Sequence, residues 1–349
     1  MIDRRRFLLS SLALGATAVT ATLSGCSSTA VKSGAANAEA GTTSNAGQTV
    51  NIVGYSVPQP AYDSLTAAFA KTAAGKGVTF HASYGASGSQ SKAVAAGQAA
   101  DYVAFSVEPD VQNLVPAKVS ANWAKTSTDG IVATSVVVIV VRKGNPKKIT
   151  GWNDLTKSGV KIVTPDPASS GSAKWNILAA YQHVIAAGGT EAEAKTYLTN
   201  FFGNVISRAA SGADATTQFV SGTGDVLISY EDEAIAARQA GHDVDYVVPA
   251  QTVLIENPAT VTKTAPRAAK DFLTYVRSEA GQKIFASKGF RPVDKSVAVG
   301  TVKGANDPSN PFPTPKRLIT IASLGGWDAV NKKFFDPDDG LVTKIEAAA

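Results

Sequence analysis

The strongest constraint on the fold is one run, Val132–Val141, ten residues dominated by Val and Ile. β-Branched side chains favour extended backbone, and a stretch with so little polar alternation has to be covered on both faces. It predicts a buried strand. Shorter strands are expected at Val50–Tyr55, Val78–Ala82, Tyr102–Phe105, Lys161–Thr164, Asp225–Ser229 and Val244–Val248. Between them, helical composition marks Ala61–Ala74, Gln90–Ala96, Trp152–Leu155, Ala173–Ala186, Ala192–Phe201, Glu231–Ala240, Ala268–Arg277 and Gly281–Ser287. Strands alternating with helices imply an α/β protein with mostly parallel sheets.

A second extended stretch, near 251–262, joins 132–141 in dividing the chain into thirds. If both cross between lobes, the outer thirds form one lobe and the middle third the other, with a cleft and a two-segment hinge. The expected division is 49–137 plus 255–349 for lobe 1 and 138–254 for lobe 2. At 349 residues, 44% hydrophobic and 17% charged, the chain has ample material for such a core. Its single cysteine excludes an intramolecular disulfide and a Cys-based zinc site. Three dispersed histidines suggest no metal cluster, and a net charge of +5 without a basic helix gives no nucleic-acid footprint. No GxSxG, P-loop, HExxH or clear GxGxxG motif occurs, so neither catalysis nor a cofactor is expected. The acids Glu231, Asp232 and Glu233 begin a helix, where negative charge complements the dipole.

The start of the chain reads as an address. Arg4-Arg5-Arg6 precede an apolar run to Leu23, followed by Ser24-Gly25-Cys26. This is the pattern of an export signal. Asp3 and the Arg-Arg-x-Phe-Leu sequence resemble a twin-arginine signal, although Leu9 stands where Lys is usual, so general export stays open. Leu23-Ser24-Gly25-Cys26 resembles the bacterial lipoprotein box, which implies cleavage after residue 25 and a lipid on Cys26. Removing residues 1–25 deletes three Arg and one Asp, so the net charge falls from +5 to +3. Residues 26–48 are mostly Ala, Gly, Ser, Thr and Asn and form a tether with a reach of about 25 Å.

Three Ser/Gly-rich turns stand before expected helices: Gly85–Gln90, Pro167–Ala173 and Ala210–Asp214. Each places free N–H groups and about half a positive charge at one point, which suits an anion without any basic side chain. Each can equally be an ordinary helix cap.

The middle of the chain carries a resemblance. Val141-Arg142-Lys143-Gly144-Asn145-Pro146, Trp152-Asn153-Asp154-Leu155, Thr164-Pro165-Asp166-Pro167 and Ser169–Asn176 closely resemble the bacterial sulfate-binding proteins, the solute receptors of sulfate/thiosulfate ABC importers. The likeness continues through Gly224–Ile228, Glu231–Ala234, Arg291-Pro292 and Leu324–Trp327. It implies a two-lobed, type II periplasmic binding fold, each lobe a mostly parallel sheet flanked by helices. It also implies a monomer outside the cytoplasm, lipid-anchored to the membrane, that binds sulfate and docks on an ABC permease. Carried over, the ligand residues are Ser87, Ser170, Gly171, Ser172, Gly212 and Tyr230. Tyr230 replaces the family's cleft Trp, and its O–H can both donate and accept. Asp214 replaces a Gly and would repel an anion unless paired. Tyr55–Pro60 departs from the family's early motif, and no ligand contact is assigned there. Thiosulfate, molybdate or tungstate are the alternative ligands within the fold; an enzyme acting on sulfate or phosphate esters is the alternative class.

Overall fold

The computed structural model describes residues 44–347, so the expected signal, Cys26 and most of the expected tether lie outside the described residues. Strands and helices alternate along the chain as β1 (Thr49–Tyr55), α1 (Gln59–Phe69), β2 (Thr79–Gly85), α2 (Ser87–Ala95), β3 (Tyr102–Ala104), α3 (Glu108–Gln112) and β4 (Ile131–Arg142). There follow β5 (Ile162–Pro165), α4 (Gly171–Ala186), α5 (Glu191–Gly203), β6 (Val205–Ala209), α6 (Gly212–Val220), β7 (Val226–Tyr230), α7 (Glu231–Gln239) and β8 (Val244–Val247). The chain ends through β9 (Gln251–Val261), α8 (Arg267–Arg277), α9 (Glu279–Ser287), β10 (Arg317–Ile319), α10 (Gly326–Val330) and α11 (Leu341–Ala347).

The strand path runs β2-β1-β3-β9-β4-β7-β5-β6, with β8 on β4 and β10 on β9. β1, β2 and β3 pair in parallel, and so do β5, β6 and β7. These are the two parallel halves of a two-lobed fold. β4 and β9 join them: Ile131–Val136 of β4 pair antiparallel with Leu254–Pro258 of β9. The far end of β4 then pairs with β7 and β8, and the far end of β9 with β3. Two strands are therefore shared between the halves, as a two-segment hinge requires. Val136–Val141 are at most 2% exposed, which is what an unbroken β-branched run needs.

The sequence expectation differs from the structure in particular places. α2, α4 and α6 start at Ser87, Gly171 and Gly212, two to three residues ahead of the expected helices. The small turn residues are themselves the first helical residues. β6 is not expected from the sequence: four of its five residues alternate between partly buried and exposed, and Ser and Arg interrupt its apolar run. α3 and the elements after Ser287 are too short for periodicity to reveal. The C-terminal helices pack on α4 and α5, within the middle third: Trp327 meets Trp175 edge-on at 4.9 Å, Phe334 meets Tyr181 at 4.9 Å, and Arg208 pairs with Glu346 at 2.8 Å.

Candidate functional site

All three turns lie at the carboxyl ends of parallel strands, β2, β5 and β6, where open α/β sheets present their ligand sites. The helix starts differ in their caps. At α2 the residue before the helix is Ala86, and at α4 it is Ser170; neither side chain accepts from the helix. At α6 the Ser211 hydroxyl accepts from Asp214 N. The first N–H groups of a helix have no intrahelical acceptor, so α2 and α4 leave donors at their starts, except Gly88 N, which has an acceptor in the second turn.

The turns converge across the two halves. Gly88 N donates to Ser169 O at 3.1 Å, joining the first turn to the second. A Cβ on Gly171 would lie 2.9 Å from both Cβ and Oγ of Ser106. A Cβ on Gly212 would lie 2.9 Å from Val57 and 3.1 Å from Ser172 Oγ. Only hydrogen fits at these two positions, which is the physical reason for glycine there. The Tyr230 hydroxyl meets Ser106 Oγ at 2.7 Å. The structure thus gathers Ser87, Ser170, Gly171, Ser172, Gly212 and Tyr230 around one point. Ser87, Ser170, Ser172 and Tyr230 are each at most 3% exposed.

Ser106 and Val57 belong to this assembly and carry no signature in the sequence. Ser106 follows β3 without any glycine-rich turn; its place at the end of a parallel strand was the only available clue. Ser87 has a constrained hydroxyl: it donates to Asp110 Oδ2 at 2.5 Å and accepts from Ser106 N at 2.9 Å. With that proton engaged, the Ser87 hydroxyl is committed to Asp110.

Most of the carboxylates near the site have partners. Asp214 accepts from Ser211 Oγ at 2.7 Å, so the acid that replaces a family glycine is held by its own helix cap. Burial raises the Asp110 carboxyl pKa, and the Ser87 bond opposes that rise. Burial also raises Glu231, Asp232 and Glu233, all on the first turn of α7. Glu231 is ion-paired in bidentate fashion with Arg291, at 2.7 and 3.1 Å. Glu233 accepts from Thr216 at 2.9 Å and from Ser229. Glu231 and Glu233 are thus structural partners at a helix start, where acids complement the dipole, whereas Asp232 Oδ1 is buried without a hydrogen-bond partner. Burial likewise raises the Tyr230 hydroxyl far above its ordinary range, so it stays protonated.

A cleft between two parallel-sheet lobes, lined by converging helix N-termini, defines a solute-binding receptor of the type II, two-lobed kind. The model of the family described as bacterial extracellular solute-binding protein matches residues 50–291. The sulfate-binding protein of Synechococcus elongatus is 37% identical, covering 99% of this chain and 97% of the relative. The solved sulfate-binding protein SubI from Mycobacterium tuberculosis is 45% identical with a TM-score of 0.78, covering 83% of this chain and all of SubI. The thiosulfate-binding protein of Pseudomonas aeruginosa is 31% identical over 89% of this chain and 96% of its own. The chain belongs to the bacterial extracellular solute-binding proteins, in the group that contains the sulfate-binding proteins. It is a receptor, not an enzyme, and no described helix is long and apolar enough to cross a membrane.

Proposed function

We propose that this protein is an extracytoplasmic receptor that binds sulfate between its lobes and delivers it to an ABC permease for uptake. The observation that carries the reading is the convergence of the α2, α4 and α6 N-termini on Tyr230 and Ser106, with N–H and O–H groups as the available donors. Gly171, Ser172, Ser87 and Gly212 supply main-chain N–H groups, while Ser170, whose N–H donates to Asp166 O at 2.9 Å, contributes its hydroxyl. Such a site favours an anion with no proton. Sulfate has none at neutral pH; phosphate usually keeps one and would turn an O–H toward donors, leaving buried polar groups unpaired. Charge-assisted hydrogen bonds of about 1.5–3 kcal/mol each make micromolar or tighter binding attainable with a handful of contacts.

Titration calorimetry of the purified protein tests this. Sulfate should bind at micromolar concentration or below, and phosphate much more weakly. Equal heats for the two anions would reject the reading. Thiosulfate is the second reading, favoured by the thiosulfate-binding relative, and competition against sulfate separates the two.

The lobe boundaries, the lipid on Cys26 and the monomeric state belong to the same proposal. Lobe 1 takes 49–137 and the chain from 255, and lobe 2 takes 138–254. The packing of Trp327, Phe334 and Glu346 on α4, on α5 and beside β6 supports moving the last helices from lobe 1 to lobe 2. A lipidated Cys26 and the tether would hold the receptor near the permease.

A further inference from the structure

Ser106 makes more contacts than an anion site alone requires. It is fully buried. Its N–H donates to Ser87 Oγ at 2.9 Å. Its carbonyl accepts from Trp175 Nε1 at 2.9 Å and from Asn257 Nδ2 at 3.1 Å. Its hydroxyl meets the Tyr230 hydroxyl at 2.7 Å. One residue at the end of β3 therefore touches the first anion turn, the helix of the second turn, the hinge strand β9 and the start of α7. Trp175 and Tyr230 lie in the opposite half from Ser106, so two of these bonds cross the cleft. The carbonyl bonds are set by the backbone, whereas the hydroxyl bond depends on the side chain alone.

We propose that Ser106 is a positioning residue for anion binding: its side chain latches Tyr230 across the cleft and holds the lobes shut over the ligand. The inference rests on the receptor reading for its ligand, but the latch itself joins protein to protein. A bond that forms only when the lobes meet slows release and leaves encounter unchanged. Tyr230 then serves closure through Ser106.

The test compares wild type, Ser106→Ala, Tyr230→Phe and the double variant, each in the full mature chain. Removing one buried hydrogen bond should weaken sulfate binding about tenfold. Stopped-flow Trp fluorescence should show that loss in the off-rate, with the on-rate unchanged. Ser106→Ala should have no further effect in the Tyr230→Phe background, because the bond it breaks is already gone. Hydrogen exchange at the Trp175 indole N–H reads the latch with or without sulfate. Its acceptor is the Ser106 carbonyl, which the alanine variant keeps, so faster exchange reports looser closure and not a missing partner. A wild-type off-rate together with wild-type indole exchange in Ser106→Ala would overturn the latch. Additive losses in the double variant would also overturn it. Absence of sulfate heat from the wild type would instead reject the receptor reading, and the exchange measurement would still judge the latch.

Discussion

At the scale of single residues, two serines in equivalent places do different work. Ser170 and Ser211 both stand immediately before a helix in a small-residue turn. The Ser170 hydroxyl accepts from no helix N–H, whereas Ser211 caps α6 through Asp214 N. Ser170→Ala should therefore weaken sulfate binding by about 1–3 kcal/mol with little change in melting temperature. Ser211→Ala should cost about 0.5–2 kcal/mol of stability, read by urea denaturation. If the two variants showed the same profile, the distinction between ligand donor and helix cap would fail. From the sequence, both residues looked alike. Ser, Thr, Asp and Asn are favoured at caps for the same reason that they suit anion sites, namely a short side chain near free N–H groups, so composition could not separate them.

The elements were legible where their signal was long. β4, β9, α4, α5 and α8 fall close to their expected places, because ten or more residues of consistent pattern outweigh local ambiguity. β6 and α3 were not legible, because neither carries a run of buried apolar residues, unlike the equally short β5 and β7. The interior of α4 also holds a group whose behaviour only packing reveals. His183 stacks on Trp152 with ring centres 6.1 Å apart and meets Tyr197 edge-on at 4.3 Å. Burial lowers its pKa to about 4. An unfolded histidine titrates near 6.5, so its neutral form is favoured by folding. The stability this contributes is complete above about pH 6.5 and is lost as pH falls toward 4. In His183→Phe that pH dependence should vanish. The melting-temperature difference between wild type and variant should be flat above pH 6.5 and should shift in favour of the variant between 6.5 and 4. A constant difference across the range would show that His183 does not titrate with folding.

At the scale of the molecule, function depends on how closely the halves approach. Gly171 is the sharpest gauge, since its missing side chain faces Ser106 of the opposite half at 2.9 Å. Alanine is well tolerated at the start of a helix, so Gly171→Ala should fold and melt nearly as wild type. Overpacking costs about 1–3 kcal/mol and would apply only on closure, so sulfate affinity should fall roughly 10- to 100-fold. Wild-type affinity in this variant would show that the lobes do not close to this distance. The sequence by itself determined the order of strands and helices, the two crossing segments and the three small-residue turns. Each is encoded by neighbours along the chain, through backbone propensity and apolar periodicity. Tertiary structure alone decided the Ser106–Tyr230 bond between residues 124 apart, the Glu231–Arg291 ion pair and the seating of the last helices on α4 and α5. Such contacts have no local signature, because a hydrogen bond or a close approach exists only once the two halves of the sheet have brought its partners together.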